Sequence, residues 1–403
     1  MNTGDNAWVL ASAALVFLMT PAVALFYGGM TRTKNVLATI MQSFIVMGLV
    51  SVVWMLWGFS LAFGPDVFHG FLGGTKYFGL NHIAGELWTG STIAAATFVV
   101  FQCGFAVITP ALITGAFAER MNFGPFLIFI ALWSTFVYCP LAHWVWGPDG
   151  WLSNMGALDF AGGTVVHISA GMAGLACALS LGKRDGYGEK PIMPHNLTLT
   201  LVGAGLLWIG WYGFNSGSAL KANESAAMAF LVTQIAASAA VLSWVCSEWI
   251  VQGRPTTLGM ASGAVGGLVA ITPAAGYVGP VSALVLGLVA GALCFFACYS
   301  KKFLGYDDSL DVFGIHAVGG AWGAIATGIF AAKEIGGVDG LVYGNVGQFT
   351  TQIIAVVGTS IYAFSATFIL MFVLNLFLYM RVPRDQEEEG LDTAIHGEAG
   401  YNF

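Results

Sequence analysis

The sequence predicts an all-α membrane protein with eleven transmembrane helices, its N-terminus outside and its C-terminus inside. Composition, the lengths of the apolar runs and the placement of Lys and Arg lead to this prediction. Charged residues are 9% of the 403 residues and hydrophobic residues are 57%, whereas about 25% charged residues is usual in soluble domains. So few charges could not cover the surface of a soluble domain of this size. A water-soluble enzyme and a disordered chain are therefore excluded, and a nucleic-acid-binding protein is very hard to reconcile with this composition.

Apolar runs define the individual spans, because about 20 mostly apolar residues are needed to cross the hydrocarbon layer as a helix. The eighth run is short, lying between Pro255 and Pro273, and the last is long enough to tilt or to project into water. The eleven segments lie at about residues 8–29, 39–62, 92–117, 123–145, 164–181, 197–216, 225–250, 259–271, 277–299, 312–330 and 350–380.

The fourteen Lys and Arg residues set the orientation. With the N-terminus outside, only Lys76, Lys221 and Lys333 remain on the outer side, an asymmetry that the positive-inside rule expects. Merging or removing one span would move the later Lys and Arg residues to the opposite side and remove this asymmetry. The inner side then holds Arg32, Lys34, Arg120, Lys183, Arg184, Lys190, Arg254, Lys301, Lys302, Arg381 and Arg384.

We expect a transmembrane domain over residues 1–380 and a cytosolic tail over 381–403. Acidic residues are concentrated in this tail, which we expect to be solvated, so part of the net charge of −7 carries no information about a substrate. All six cysteines lie within apolar runs without a CxxC pattern, which is typical of small hydrophobic residues rather than of a metal site. No cofactor and no metal are predicted.

Two distant segments share one spacing. Residues 159–174 and 308–323 both read D-x7-H-x3-G-x2-G, and they fall in the fifth and tenth spans. Because five is odd, the second copy must cross the membrane in the opposite direction, which predicts a five-plus-five inverted repeat with halves at about 8–181 and 197–330, followed by a last helix at 350–380. Coincidence in a glycine-rich chain would explain the shared glycines, but it explains the shared Asp and His poorly.

His167 and His316, one in each copy, are the histidines that lie inside apolar spans. An ionisable residue at membrane depth is costly and indicates function, although core histidines bonded to backbone carbonyls are an alternative. Related by the repeat, the two rings should meet near the midplane and share one hydrogen bond, which predicts a pore lining and a proton relay.

Asp159 precedes His167 by eight residues, or about 12 Å along a helix, so the two side chains are not expected to touch. A carboxylate just ahead of Gly162, Gly163 and Thr164 fits a helix N-cap. We expect a mainly structural role for this carboxylate, with a secondary electrostatic attraction for cations at the outer mouth.

Aromatic residues gather at the predicted outer mouth. Phe101 and Phe105 share a helix face, Trp146 ends the fourth span, and Phe214 and Ser218 end the sixth. Spacing alone does not distinguish these residues from core packing. Together they could hold a small cation by cation–π attraction, with the Ser218 hydroxyl accepting a hydrogen bond from it.

In the motifs described above, the sequence resembles members of the ammonium transporter family, known as Amt/Mep/Rh. The resemblance covers nearly the whole chain, and its Asp-to-His motif is long and specific. Trp146 and Ser218 favour the bacterial Amt branch over the Rh branch, and His167 separates the chain from fungal members with an acid at that position. The matching segments are residues 101–105, 115–120, 142–147, 159–167, 208–218, 307–316 and 389–398.

The resemblance implies a homotrimer in the bacterial inner membrane, with one pore in each protomer and no enzymatic activity. It implies ammonium recruitment by Phe101, Phe105, Trp146 and Ser218, and a gate formed by Phe105 and Phe214. It further implies that a PII-type signalling protein binds the cytosolic face and the tail.

Physical chemistry narrows the mechanism. Moving bare NH₄⁺ through an apolar pore is very expensive, so deprotonation at the outer mouth and passage of NH₃ is expected. A coupled proton, carried by the two histidines, is favoured over neutral gas conduction. An ammonium sensor without flux stays open as an alternative, whereas a membrane enzyme lacks a third metal ligand, a nucleophile and a phosphate-binding loop.

Overall fold

The structure, a computed structural model, describes residues 1–401, in which all the regular elements are helices. Ten helices are long and apolar enough to cross a membrane, and an eleventh is shorter. In chain order the helices are α1 Thr3–Met30, α2 Thr33–Phe63, α3 Ala95–Ala116, α4 Phe123–Asn154, α5 Gly163–Leu181, α6 Leu197–Gly217, α7 Glu224–Gln252, α8 Thr257–Ile271, α9 Pro280–Leu304, α10 Phe313–Phe330 and α11 Val346–Phe377.

Helix α8 departs from the prediction of eleven full spans. It has 15 residues, or about 22 Å of length, whereas the hydrocarbon layer is about 30 Å thick. By length alone, ten helices of the described chain are full spans, and α8 would complete the eleven only as a short crossing. Nearly all of the residues of α8 are buried, and its neighbours are α6, α7, α9 and α10. Because other helices enclose α8, its backbone ends can be satisfied by protein and a full membrane-spanning length is not required.

Asparagine and threonine side chains fix where several helices begin. Asn2 accepts hydrogen bonds from the N–H groups of the first turn of α1, and Asn196, Asn223 and Thr256 do the same for α6, α7 and α8. These are the residue types preferred at N-caps, because a short side-chain oxygen satisfies free backbone donors. Helix α1 therefore begins at Thr3, five residues before the apolar run that predicts it.

The two copies of the repeated motif adopt the same local structure. Gly163–Ile168 of α5 and Phe313–Ala317 of α10 each form a π-helical turn, and each turn contains the histidine of its copy. The His167 N–H accordingly reaches back five residues to the Gly162 carbonyl at 3.0 Å. Widened turns of this kind are frequent at functional sites, although α2 and α4 also contain one each, at Trp54–Gly58 and Ser134–Tyr138.

Helices pack in a pattern that leaves apolar faces on the outside. Helix α1 packs most extensively on α6, and α7 packs on both α8 and α9. Large apolar side chains remain exposed on α9 and α11, among them Val281, Phe296 and Phe372. A belt of exposed apolar residues on long helices is what a lipid environment requires, and the chain is a multi-span membrane protein.

The prediction of a solvated tail is wrong for Glu387 and Asp392, whereas the other four acidic residues of the tail are exposed as expected: Asp385, Glu388, Glu389 and Glu398. Residues Arg384–Glu389 and Leu391–His396 form two short helices, α12 and α13, that dock on the rest of the protein. Glu387 is 1% exposed and Asp392 is 2% exposed. The acidic run in the sequence does not reveal which residues donate hydrogen bonds to its carboxylates, and Glu387 and Asp392 both have such donors.

Partners of these two carboxylates lie at the start of α2 and at the beginning of the tail itself. The Asp392 carboxylate accepts hydrogen bonds from the backbone N–H groups of Leu37 and Ala38 at 3.0 and 2.8 Å. The Glu387 carboxylate accepts from the Arg381 guanidinium at 2.8 Å. Since Leu37 and Ala38 lie in the first α-helical turn after Asn35, Asp392 caps this helix from the other end of the sequence.

Candidate functional site

A cavity of about 370 Å³ lies at the face that carries the N-terminus, called the N-terminal face below. Phe101, Phe105, Trp146, Asp159 and Ser218 all line it, so the structure brings together five side chains that the sequence places on four different helices or loops. The lining also includes side chains that the sequence analysis did not select: Phe63, Trp88, Phe98, Gln102, Phe160 and Tyr277.

Two stacked rings close the floor of this cavity. The centroids of Phe105 and Phe214 lie 4.2 Å apart with an angle of 24° between the planes. Phe101 and Trp146 both meet Phe105 edge to face, at 5.0 and 5.8 Å. Phe105 and Phe214 are completely buried, so the stack separates the cavity from the interior beneath it.

Hydrogen bonds orient the polar groups of the cavity. The Trp146 indole N–H donates to the Asp159 backbone carbonyl at 2.9 Å. The Ser218 hydroxyl donates to the Phe214 carbonyl at 2.8 Å. Because its proton is used in that bond, the half-buried Ser218 oxygen presents lone pairs, and it can accept a hydrogen bond from a cationic donor.

The Asp159 carboxylate caps α5. It accepts hydrogen bonds from the backbone N–H groups of Gly162, Gly163, Thr164 and Val165 at 2.8, 2.6, 2.8 and 3.3 Å, and from the Thr164 hydroxyl. Burial raises the pKa of Asp159 above its usual value, although these hydrogen bonds oppose the rise. This is the capping geometry expected from the sequence.

Gly162 is required where it stands. Its φ of +113° lies in the left-handed region that favours glycine. A Cβ at this position would also lie 2.6 Å from the Val166 side chain and 3.2 Å from the Trp146 ring. The turn that lets Asp159 reach the start of α5 therefore depends on this glycine.

His167 and His316 lie beyond the phenylalanine stack. Their ring centroids are 5.4 Å apart with 18° between the planes, and the centroid of His167 is 6.0 Å from that of Phe214. The expected hydrogen bond between the two imidazoles is not formed. Both ring nitrogens of His167 and the Nδ1 of His316 are buried without a hydrogen-bond partner. Three imidazole nitrogens are thus left to a small molecule that donates or accepts hydrogen bonds.

Trp211 also contacts the histidine pair, and the spacing of residues in the sequence did not predict this contact. Its ring stacks on His167 with 5.3 Å between centroids and 20° between planes. Its indole N–H donates to the Thr272 hydroxyl at 2.8 Å, which fixes the ring. Contact with His167 across two helices cannot be read from a local sequence pattern.

Asp308 is the counterpart of Asp159 in the second repeat copy. Its carboxylate accepts a hydrogen bond from the Phe313 N–H at 2.7 Å, at the start of α10. Burial raises the pKa of Asp308 to about 6, although the Lys301 ammonium opposes the rise. The repeat spacing contained this signal, since it aligns Asp308 with Asp159.

Paired buried charges hold the opposite face together. The Glu119 carboxylate meets the Arg32 and Arg184 guanidinium groups at 2.9 and 3.2 Å, and Arg184 meets Asp307 at 2.8 Å. Burial acts to raise the pKa of Glu119, but Arg184 and Arg32 lower it below its usual value. The pKa of Asp307 is likewise lowered, because its bonds to Arg184 outweigh burial. These pairs tie the connections after α1, α3 and α5 to the segment before α10.

Across residues 1–401, no group of three or more His, Cys, Asp or Glu side chains is arranged to hold a metal ion. Neither His167 nor His316 is therefore part of such a group within the described residues. The side chains of this site offer hydrogen bonding, cation–π attraction and proton transfer.

Known proteins are similar in sequence to this chain over its full length. A family model described as Ammonium Transporter Family matches residues 7–401. The ammonium transporter of Bacillus subtilis (strain 168) is 49% identical over 406 residues, covering 100% of this chain and 99% of the relative. The ammonium transporter Amt1 of Archaeoglobus fulgidus is 46% identical over 401 residues, covering 100% of both.

Solved structures share the fold. The crystal structure of Saccharomyces cerevisiae Mep2 superimposes with a TM-score of 0.90 at 36% identity, covering 96% of this chain and 88% of that one. A structure titled Sensor Amt Protein has a TM-score of 0.91 at 30% identity, covering 97% and 98%. The two sequence relatives are named as ammonium transporters and not as enzymes. The chain belongs to the ammonium transporter family.

Proposed function

We propose that this protein carries ammonium across the bacterial plasma membrane, with the N-terminal face outside. NH₄⁺ enters the cavity, gives a proton to water there and passes as NH₃ between the histidines. The proton follows through the same pair, with the passing molecule bridging the two imidazoles, which are not bonded to each other. The observation that carries the proposal is a continuous line of contacts from Phe105 to Phe214, from Phe214 to His167 and from His167 to His316.

Recruitment at the outer cavity follows from its lining. The rings of Phe101, Phe105 and Trp146 offer cation–π attraction, which is worth about 0.5–2 kcal/mol as the cation is desolvated. The Ser218 oxygen adds one acceptor for an N–H of the cation. Aromatic faces with few polar groups favour a small, weakly hydrated cation that donates hydrogen bonds.

Deprotonation follows from the phenylalanine stack. An ion passing between two buried rings would lose its water without gaining replacement partners, which costs several kcal/mol or more. Neutral NH₃ avoids that cost. Beneath the stack, it meets imidazole nitrogens that have no protein partner and can exchange hydrogen bonds with it.

The test is the current across proteoliposomes after an ammonium jump. His167→Ala and His316→Ala should each abolish the current, and His82→Ala, in an exposed loop, is the matched control. A pH-sensitive dye inside the vesicles separates the alternatives. NH₃ alone raises the internal pH without current, whereas coupled transport gives current. Wild-type current in either pore variant would contradict the proton relay.

A sensor without flux is the second candidate, favoured by the likeness to the structure titled Sensor Amt Protein. Both candidates use the same outer cavity, so binding alone does not separate them. Ammonium binding to purified protein with neither current nor internal pH change in vesicles would favour the sensor.

We further propose that the protein is a homotrimer and that its tail, residues 381–403, and inner loops bind a PII-type protein. The Gln234 side chain is exposed on the spanning helix α7. A polar side chain facing lipid is costly, so this exposure supports burial of α7 against another subunit. Native mass spectrometry tests the trimer. Loss of PII-type binding on deletion of the tail tests the partner site.

A further inference from the structure

The first helix ties together two loops that frame the outer cavity. The Asp5 carboxylate accepts a hydrogen bond from the Thr92 hydroxyl at 2.5 Å and another from the Ala222 N–H at 2.9 Å. Asp5 is 7% exposed, although it lies within a few residues of the N-terminus. A buried carboxylate with two partners on different loops acts as a cross-link between them.

Asn6 makes a parallel connection. Its side-chain oxygen accepts hydrogen bonds from the Ala94 N–H at 3.0 Å and from the Thr97 hydroxyl at 2.8 Å. No side chain of the α3 segment itself caps the start of that helix. Asn6 therefore supplies the missing acceptor from a different helix, and it fixes where α3 begins.

The two loops carry different halves of the cavity. Thr92 and Ala94 lead into α3, which bears Phe101, and Ala222 follows Ser218 by four residues. The halves meet at Gly217, where an added Cβ would lie 2.8 Å from the Phe101 ring. Because Phe101 packs directly on the residue before Ser218, a shift of either anchored loop changes the separation of the Phe101 ring from the Ser218 hydroxyl.

We propose that Asp5 and Asn6 are positioning residues that set the distance between Phe101 and Ser218, and thereby the apparent affinity for ammonium. The inference rests on the proposed function of the cavity. An ammonium ion bound by the Phe101 ring and the Ser218 hydroxyl must lie close to both groups at once. Cation–π attraction acts only within about 6 Å of the ring centroid. Loosening one loop weakens binding of the cation while the phenylalanine stack and the histidines are unchanged.

Asp5 could instead act through its negative charge, which would concentrate cations at the mouth. The two explanations predict different behaviour for Asp5→Asn. The amide oxygen still accepts from the Ala222 N–H, and the amide NH₂ donates to the Thr92 hydroxyl, so the cross-link remains while the charge is removed.

The experiment measures ammonium-driven current against ammonium concentration in proteoliposomes. Asp5→Ala should raise the half-saturating concentration roughly three- to tenfold with the maximal current retained, the signature of lost ground-state binding. Asp5→Asn should stay close to wild type. Thr92→Val removes one donor without touching Asp5 and should give a smaller rise, and Thr92→Ser should restore it. Glu224→Ala removes an exposed acid from the same face and serves as the control.

Three results would overturn the inference. An equal rise in Asp5→Asn and Asp5→Ala that fades at high salt would assign the effect to charge. An unchanged half-saturating concentration in both Asp5→Ala and Thr92→Val would exclude positioning. Lower maximal current with unchanged half-saturation would show a merely structural role. Absence of current in the wild-type protein would instead refute the proposed coupled transport of ammonium and a proton, so the two failures are distinguishable.

Discussion

The cap on α5 gives a direct test of what Asp159 does. Asp159→Ala removes the acceptor for four backbone N–H groups and one hydroxyl. A buried donor left without a partner costs about 1–3 kcal/mol. If water from the cavity reaches two of the four N–H groups, the remaining two cost about 2–6 kcal/mol in folding free energy.

Asp159→Asn keeps one side-chain oxygen and loses the charge. That oxygen can still accept from Gly162 and Gly163, but the new amide NH₂ faces the Thr164 N–H and cannot accept from it. We expect a loss of about 1–3 kcal/mol, because only one side of the cap is broken. The asparagine variant should therefore fold and keep part of its ammonium current, whereas the alanine variant should be inactive or poorly folded.

The assay compares thermal unfolding in detergent with ammonium current in proteoliposomes for the same preparations. Asp149→Asn, an exposed acid in a loop of the same face, is the matched control. Stability and current should fall together from wild type through Asn to Ala. If both variants unfold at the wild-type temperature and Asn is as inactive as Ala, transport needs the carboxylate charge itself, and the capping argument is refuted.

Three further predictions concern other parts of the chain. Gly162→Ala should lower the unfolding temperature and the current more than Gly156→Ala, because both glycines have positive φ but an added Cβ is crowded only at Gly162; equal effects would show that backbone strain alone matters. Asp392→Ala should release the tail and expose it to limited proteolysis while the spans stay folded, and an unchanged cleavage rate would contradict its capping role. The pKa values of Glu119 and Asp307 are lowered in the folded protein, so their ionised carboxylates stabilise the fold at any pH above their ordinary pKa values near 4. This stabilisation is lost as the pH falls through the lowered pKa values. Unfolding temperatures measured from about pH 5 to pH 3 should fall steeply, and less so in Glu119→Gln.

Apolar runs predicted the long helices well where a capping residue adjoins the run. The sixth predicted span, 197–216, matches Leu197–Gly217, because Asn196 both ends the polar loop and caps the helix. The first span was predicted five residues too short, because the polar residues Asp5 and Asn6 lie inside the helix and interrupt the apolar pattern. Their partners are about 90 and 220 residues away in the chain, and no local pattern contains them.

The sequence predicted those residues of the candidate site whose side chains are unusual within a membrane. Buried histidines and a mouth rich in aromatic residues stand out against lipid, and these residues do converge. The unbonded state of the imidazole rings was not predictable, since it depends on ring placement within two π-helical turns. The docked tail was missed because Asp392 finds its donors at the start of α2, more than 350 residues earlier.

The π-helical turns around His167 and His316 also limit how this chain can change. A π-turn is equivalent to an α-helix with one inserted residue, so deleting a single neighbour would restore regular periodicity. All residues on one side of the deletion would then rotate by about 100° relative to the other side. The imidazole would swing out of line with Phe214, although no residue of the pore had been replaced. Such a helix tolerates substitution at its surface far better than any change in length, so natural variation in α5 and α10 should consist of exchanges rather than insertions or deletions.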